Sequence, residues 1–256
     1  MPPDAPVIVV AALLGSVLGS FLNVCIYRLP RNLSLVRPGS ACPSCETPIA
    51  WYDNVPVVGW LFLRGRCRRC QTPISVQYPL IEMAIATIWG GAAWWYGVTW
   101  DGTAAAVFLT LLLGIGVTDA KHYIIPDEFT WGGLGIGLVL GLVRGMPELL
   151  EALLGAAVGF ALLYGIAWAG ERVFRKEAMG GGDIKMMAMV GAFVGWQGVL
   201  LSIFAGSLLG TIIFVPISLK TKALVPFGVF LAVGAAVSLL AGQPIYEWYA
   251  GYLHGP

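Results

Sequence analysis

Apolar residues in this chain come in runs long enough to cross a bilayer, and the runs recur from one end to the other. A spanning helix needs about 20 consecutive, mostly apolar residues. Eight stretches approach or meet that demand: 7–27, 79–98, 103–118, 129–143, 149–170, 184–195, 199–219 and 224–241, the sixth being the shortest. Only 11% of the 256 residues are charged, and mean hydropathy is +0.80. A backbone in lipid must satisfy its own polar groups, which helices do within one segment. The expected fold class is therefore an all-α polytopic membrane protein with about eight transmembrane helices. The 34 glycines lie among Leu, Val, Ala and Ile, which suits close packing of membrane helices and not disorder. The first run has no basic segment before it and no convincing small-residue cleavage site after it, so it reads as a retained helix.

The one large polar insert, 28–78, lies between the first two runs and carries seven arginines and four of the five cysteines. If it is cytoplasmic, alternation of the runs puts Lys121, Arg172, Arg175, Lys176, Lys185, Lys220 and Lys222 on the same side. Fourteen of the fifteen basic residues then lie inside, with Arg144 alone outside. The acids show no such bias, since Asp4, Asp101, Glu148 and Glu247 fall outside. That is the asymmetry the positive-inside rule expects. The expected organisation is a first helix (1–27) with its N-terminus outside, a cytoplasmic domain (28–78) and a helical membrane domain (79–256). Membrane lipid is an expected partner and nucleic acid is not.

The insert holds Cys42-Pro-Ser-Cys45 and Cys67-Arg-Arg-Cys70, with 21 residues between the pairs. Two residues between cysteines let both thiolates grip one ion, and two such pairs at this distance resemble a zinc ribbon. The pairs are also internal repeats, Cys-Pro-Ser-Cys-Glu-Thr-Pro-Ile and Cys-Arg-Arg-Cys-Gln-Thr-Pro-Ile. Disulfides and a redox dithiol are the competing readings. Cytoplasmic placement disfavours the first, and matched duplication is not needed for the second. Cys42, Cys45, Cys67 and Cys70 are therefore expected to hold a structural zinc. Cys25, inside the first run, is expected to be a small packing residue.

Two aspartates stand at the inner edge of the bundle on this topology. Asp119 follows the third run; Asp183 follows Gly180-Gly181-Gly182 and precedes the sixth. An ionisable residue at such a place is a functional-site hypothesis by default. Two that could meet suggest a proton-sharing pair able to activate water. The plainer readings are a solvated helix end for Asp119, beside Lys121, and an N-cap in a flexible loop for Asp183. Asp127 reads as the cap of the fourth helix. Three successive glycines disfavour a helix, and close approach of an extended substrate would account for Gly180, Gly181 and Gly182. Lys185 is placed either to bias the Asp183 charge or to hold substrate. His122, in the loop after Asp119, and His254 form no metal pair. The aromatics around 89–96 and 246–252 read as interface anchors.

Several segments together resemble one family, the type IV prepilin peptidases, bacterial members of the Gly-x-Gly-Asp intramembrane aspartic proteases. The resemblance rests on Asp119 with Ile125-Pro126-Asp127, and on Gly180-Gly181-Gly182-Asp183-Ile184-Lys185. It also rests on Gly19-Ser20-Phe21-Leu22-Asn23, the paired cysteines, Trp51-Tyr52-Asp53-Asn54-Val55-Pro56 and Tyr78-Pro79-Leu80-Ile81-Glu82. It implies a bacterial inner-membrane aspartic peptidase with Asp119 and Asp183 as the catalytic pair. It implies cleavage of the basic leader of prepilins and pseudopilins after a glycine, at the cytoplasmic face. It further implies N-methylation of the new N-terminal residue by S-adenosylmethionine, for which no binding residues can be placed. A zinc-bearing assembly factor and a proton-coupled transporter are the readings from other classes. The latter would need inverted repeats, which are not evident.

Overall fold

The computed structural model describes residues 4–176, 179–221 and 226–254. Lys222 and Leu224, the latter expected to open the eighth run, lie outside the described residues. Secondary structure is helical throughout: α1 (Ala5–Arg28), α2 (Val58–Phe62), α3 (Gln77–Tyr96), α4 (Trp100–His122), α5 (Asp127–Arg144), α6 (Met146–Phe174), α7 (Gly181–Thr221) and α8 (Phe227–His254). No strand occurs among the described residues, only isolated bridges between Ala41 and Pro48 and between Arg66 and Pro73. Among the described residues, five helices are long and apolar enough to cross a membrane: Ala5–Arg31, Trp100–His122, Met146–Phe174, Gly181–Phe214 and Phe227–Tyr252. Helices α3 and α5, of 20 and 18 residues, carry the second and fourth apolar runs.

The sixth and seventh runs share α7, whose single non-helical residue is Gly195 (φ 70, ψ 179). A straight helix of 41 residues would reach about 60 Å, roughly twice a bilayer core. The packing shows how α7 avoids this. Its first leg lies on α6, where Gly155 meets Gly191 and Gly159 meets the Met187 carbonyl. Its second leg runs along α8, from Gly198 beside Ser238 to Gly206 beside Phe230 and Leu231. The chain therefore turns back at Gly195, where the left-handed backbone suits glycine.

The chain divides into two compact units, 1–106 and 107–256. In the first, α1 and α3 are packed through Gly15 and Gly19, which face the backbone of Ile85, Ala86 and Glu82. Small residues four apart let membrane helices approach this closely. In the second, the first leg of α7 is the centre, with Met186, Met187, Met189 and Val190 fully buried. Gly133 and Gly137 of α5 face Met189 and Phe193 on that leg. Cys25 is buried, and Trp95 and Trp248 stand exposed near helix ends.

Candidate active site and metal centre

Asp119 lies inside α4, three residues before its end, and is almost fully buried. Its Oδ2 accepts the Val229 N–H at 3.0 Å, and the neighbouring Gly228 N–H adds to the field that favours its charge. These belong to the first turn of α8, whose donors have no intrahelical partner. Pro226, just before that helix, has no side chain able to cap it. The Asp119 carboxylate supplies the cap from another helix, at the positive end of the α8 dipole. The fit depends on Gly228: a Cβ there would lie 2.9 Å from Asp119 Oδ2 and 2.7 Å from Ile125 Cδ1.

Asp183 stands in the first turn of α7, its N–H bonded to the Gly180 carbonyl at 3.2 Å. Its Oδ1 is buried and has no hydrogen-bond partner. The Asp183 and Asp119 carboxylates are close enough to interact electrostatically. Ile125 lines the space beside both, since its side chain lies against Gly182 and against Gly228. The three glycines differ. Among the described residues, a Cβ on Gly182 would meet Ile125 at 3.0 Å, one on Gly181 would meet nothing within 4 Å, and one on Gly180 would meet only Asp183 Oδ2, at 3.6 Å. A cleft of about 250 Å³ runs along this open side, lined by Tyr164, Trp168, Glu171, Gly180 and Gly181.

Two expectations change. Asp127 does not cap α5: it is the first residue of that helix, Pro126 is the N-cap, and no side chain bonds the cap. The Asp127 carboxylate instead accepts both bonds of the Lys185 ammonium, at 2.7 and 2.8 Å. The Lys185 ammonium is thereby paired with the start of α5. His122 is the last residue of α4, not a loop residue.

The cysteine pairs are built alike. Cys42 N–H bonds the Thr47 carbonyl at 3.0 Å, and Cys67 N–H bonds that of Thr72 at 2.9 Å. Glu46 and Gln71, just after the second cysteine of each pair, both take left-handed backbone. Cys45 Sγ lies 3.3 Å from the Thr47 hydroxyl oxygen, and Cys70 Sγ 3.3 Å from that of Thr72. The Thr72 hydroxyl and N–H bring the Cys70 thiol down to about 6, and Thr47 lowers Cys45 in the same sense. Cys42 Sγ lies 3.7 Å from Cys70 Sγ, and Cys45 Sγ 4.0 Å from Cys67 Sγ. All four sulfurs fall within 4.8 Å of one another. A tetrahedral ion with metal–sulfur bonds of about 2.3 Å has sulfur–sulfur edges of about 3.8 Å. The four thiols therefore fit one metal ion, and all four cysteines are free. Arg68, between Cys67 and Cys70, forms a two-bond ion pair with Asp53 at 2.6 and 2.8 Å. That guanidinium holds the Asp53 carboxyl below the usual carboxylate range.

Sequence reasoning passed over Gly228, which nothing distinguishes from the other glycines. It also gave no role of its own to Glu82, although a carboxylate in an apolar run is a signal. Glu82 is buried in α3, where Oε2 accepts the Val57 N–H at 2.7 Å.

The sequence profile of the type IV leader peptidase family matches residues 106–215, and that of the bacterial Peptidase A24 N-terminal domain matches residues 13–96. The chain is 34% identical to the prepilin leader peptidase/N-methyltransferase of Pseudomonas aeruginosa, over 94% of this chain and 93% of that one. It is 35% identical to the protein of the same name from Stutzerimonas stutzeri, over 93% and 92%. The corresponding Neisseria gonorrhoeae protein is 32% identical over 96% and 94%. No solved structure matches. The chain belongs to the type IV leader peptidase family.

Proposed function

We propose that this multi-pass membrane enzyme removes the leader peptide of prepilins through Asp119 and Asp183 and then N-methylates the trimmed product. Membership of the family and the relatives' shared name support both activities. The observation that carries the peptidase reading is two carboxylates near enough to interact, Asp119 buried against the start of α8 and Asp183 half-buried in the first turn of α7 with its Oδ1 shielded from solvent. Asp119, accepting the Val229 N–H at the positive end of the α8 dipole, is the ionised partner and takes a proton from water. Asp183, whose Oδ1 has no donor, carries the other proton and delivers it to the scissile carbonyl oxygen. The tetrahedral intermediate collapses when the amine leaves with a proton, and no covalent enzyme intermediate forms. Exclusion of water strengthens both electrostatic interactions. The open backbone at Gly180 and Gly181 receives the extended substrate. Lys185 acts through Asp127, steadying the start of α5.

In this reading, the insert and both aspartates face the cytoplasm, and the enzyme sits in the inner membrane with its N-terminus outside. Prepilins and pseudopilins, with basic leaders cut after a glycine, are its substrates. Zinc is the ion that the four cysteines hold, in a closed structural site. S-adenosylmethionine is the methyl donor, consumed as a substrate. The test is to incubate purified protein with a prepilin and weigh the product, with and without methyl donor. Asp119→Asn and Asp183→Asn should each abolish cleavage in a protein that still folds. Substantial processing by either folded variant removes the pair from the chemistry.

A further inference from the structure

The insert presents an apolar edge that no part of its own unit covers. Trp51 is 81% exposed and Phe62 84%, and Val55, Val58 and Leu61 are exposed as well. Val58, Leu61 and Phe62 share one face of α2, being three and four residues apart. The other face is committed inward. A Cβ on Gly59 would run into the Asp53 carbonyl, and the Trp60 indole N–H donates to the Ile74 carbonyl at 3.1 Å. An exposed apolar surface of this kind marks an interaction site.

Its depth says what it meets. The Val57 N–H is tied to Glu82 at 2.7 Å, and the Ser20 hydroxyl stands beside the same carboxylate. Glu82 lies five residues into α3, and Ser20 eight residues before the end of α1. At a rise of 1.5 Å per residue, that carboxylate sits about 8 to 12 Å inside the ends of the two helices. Backbone at that depth needs a partner from protein, and Glu82 supplies it to Val57. The residues that follow Val57 therefore leave from within the boundary layer of the bilayer. Charge agrees: Arg64 and Arg66 are exposed just beyond Phe62, and the insert has seven arginines against two acids, Glu46 and Asp53. Apolar and aromatic side chains beside arginines suit an interface of anionic headgroups.

We infer that Trp51 and the Val58–Leu61–Phe62 face of α2 are embedded in the headgroup region of an anionic bilayer, anchoring the cysteine-bearing insert to the membrane surface. The inference rests on the chain spanning that bilayer, and the test separates the two. The full-length protein and its Trp51→Phe variant are placed in nanodiscs of phosphatidylcholine and phosphatidylglycerol, brominated either near the headgroups or near the chain ends. The fluorescence difference between the two proteins isolates Trp51. It should be quenched by shallow bromines, less by deep ones, and little by aqueous iodide. Phe62→Trp in the Trp51→Phe background should restore the shallow quenching. Efficient iodide quenching without bromine quenching at both positions overturns the inference, because the edge then faces water or another protein. If deep bromines fail to quench the remaining tryptophans, the spanning reading falls and the anchor with it.

Discussion

Replacing Gly228 by alanine tests the geometry of the site without touching either carboxylate. The new Cβ would lie 2.9 Å from Asp119 Oδ2, 3.1 Å from its Cγ and 2.7 Å from Ile125 Cδ1. Ile125 can turn its terminal methyl away. Asp119 has no such freedom, because the clashing oxygen is the one that accepts the Val229 N–H. The carboxylate must shift and lose that bond. A hydrogen bond to a charged group contributes about 1.5–3 kcal/mol, so the loss corresponds to roughly a 10- to 150-fold slower reaction. Overall stability should change less, because alanine is favoured over glycine in a helix by about 1 kcal/mol, which offsets part of the strain. The assay is the initial rate of prepilin cleavage in detergent, beside thermal unfolding of the same samples. Gly116→Ala is the control: it lies on the same helix as Asp119 with nothing within 4 Å of its added methyl. Wild-type cleavage by folded Gly228→Ala would refute the reasoning, as would an equal loss in Gly116→Ala.

Asp127→Asn and Lys185→Met should keep most cleavage activity and lower stability by less than about 1 kcal/mol, as is usual for a solvent-exposed ion pair; loss of cleavage in folded Asp127→Asn would make Asp127 part of the chemistry. Elemental analysis of protein purified without chelators should find one zinc per chain, removable only with loss of structure in the insert, and a metal-free protein with an intact insert would contradict the assignment. Replacing Cys42 and Cys45 together with serine should reduce methylation more than cleavage, measured as two products of one reaction; cleavage lost while a pre-cleaved pilin is still methylated would reverse that assignment.

How far the sequence reached depended on whether a feature is local. The apolar runs mark helices because each satisfies its own backbone, and the cysteine spacing marks a metal site because two turns suffice to build half of it. Asp127 was misread because a carboxylate after Ile-Pro at a helix start has a good local explanation; its partner, Lys185, is 58 residues away. The long α7 was read as two runs, and its turn at Gly195 accounts for both the separate legs and their continuity. The capping of α8 by Asp119 joins residues 110 positions apart and leaves no trace in either local sequence.

What fixes the carboxylates in place is largely glycine, far from either of them. Hydrophobic burial does little to bring helices together in lipid, so contact depends on shape. Asp183 begins the leg of α7 that Gly155 and Gly159 grip from α6 and that Gly133 and Gly137 grip from α5. Each pair sits four residues apart, on one face of its helix, and each meets backbone or large side chains of the same leg. A slip of α7 along either neighbour would drive atoms into these contacts, so the height of Asp183 is set from two sides. Asp119 is held differently, by donors from the start of α8, and α8 is registered against the second leg of α7 through Gly206 and Gly234. Both carboxylates are thus referred to one element, α7, through its two legs. That common reference lets two residues 64 positions apart keep a fixed separation without a bond between them.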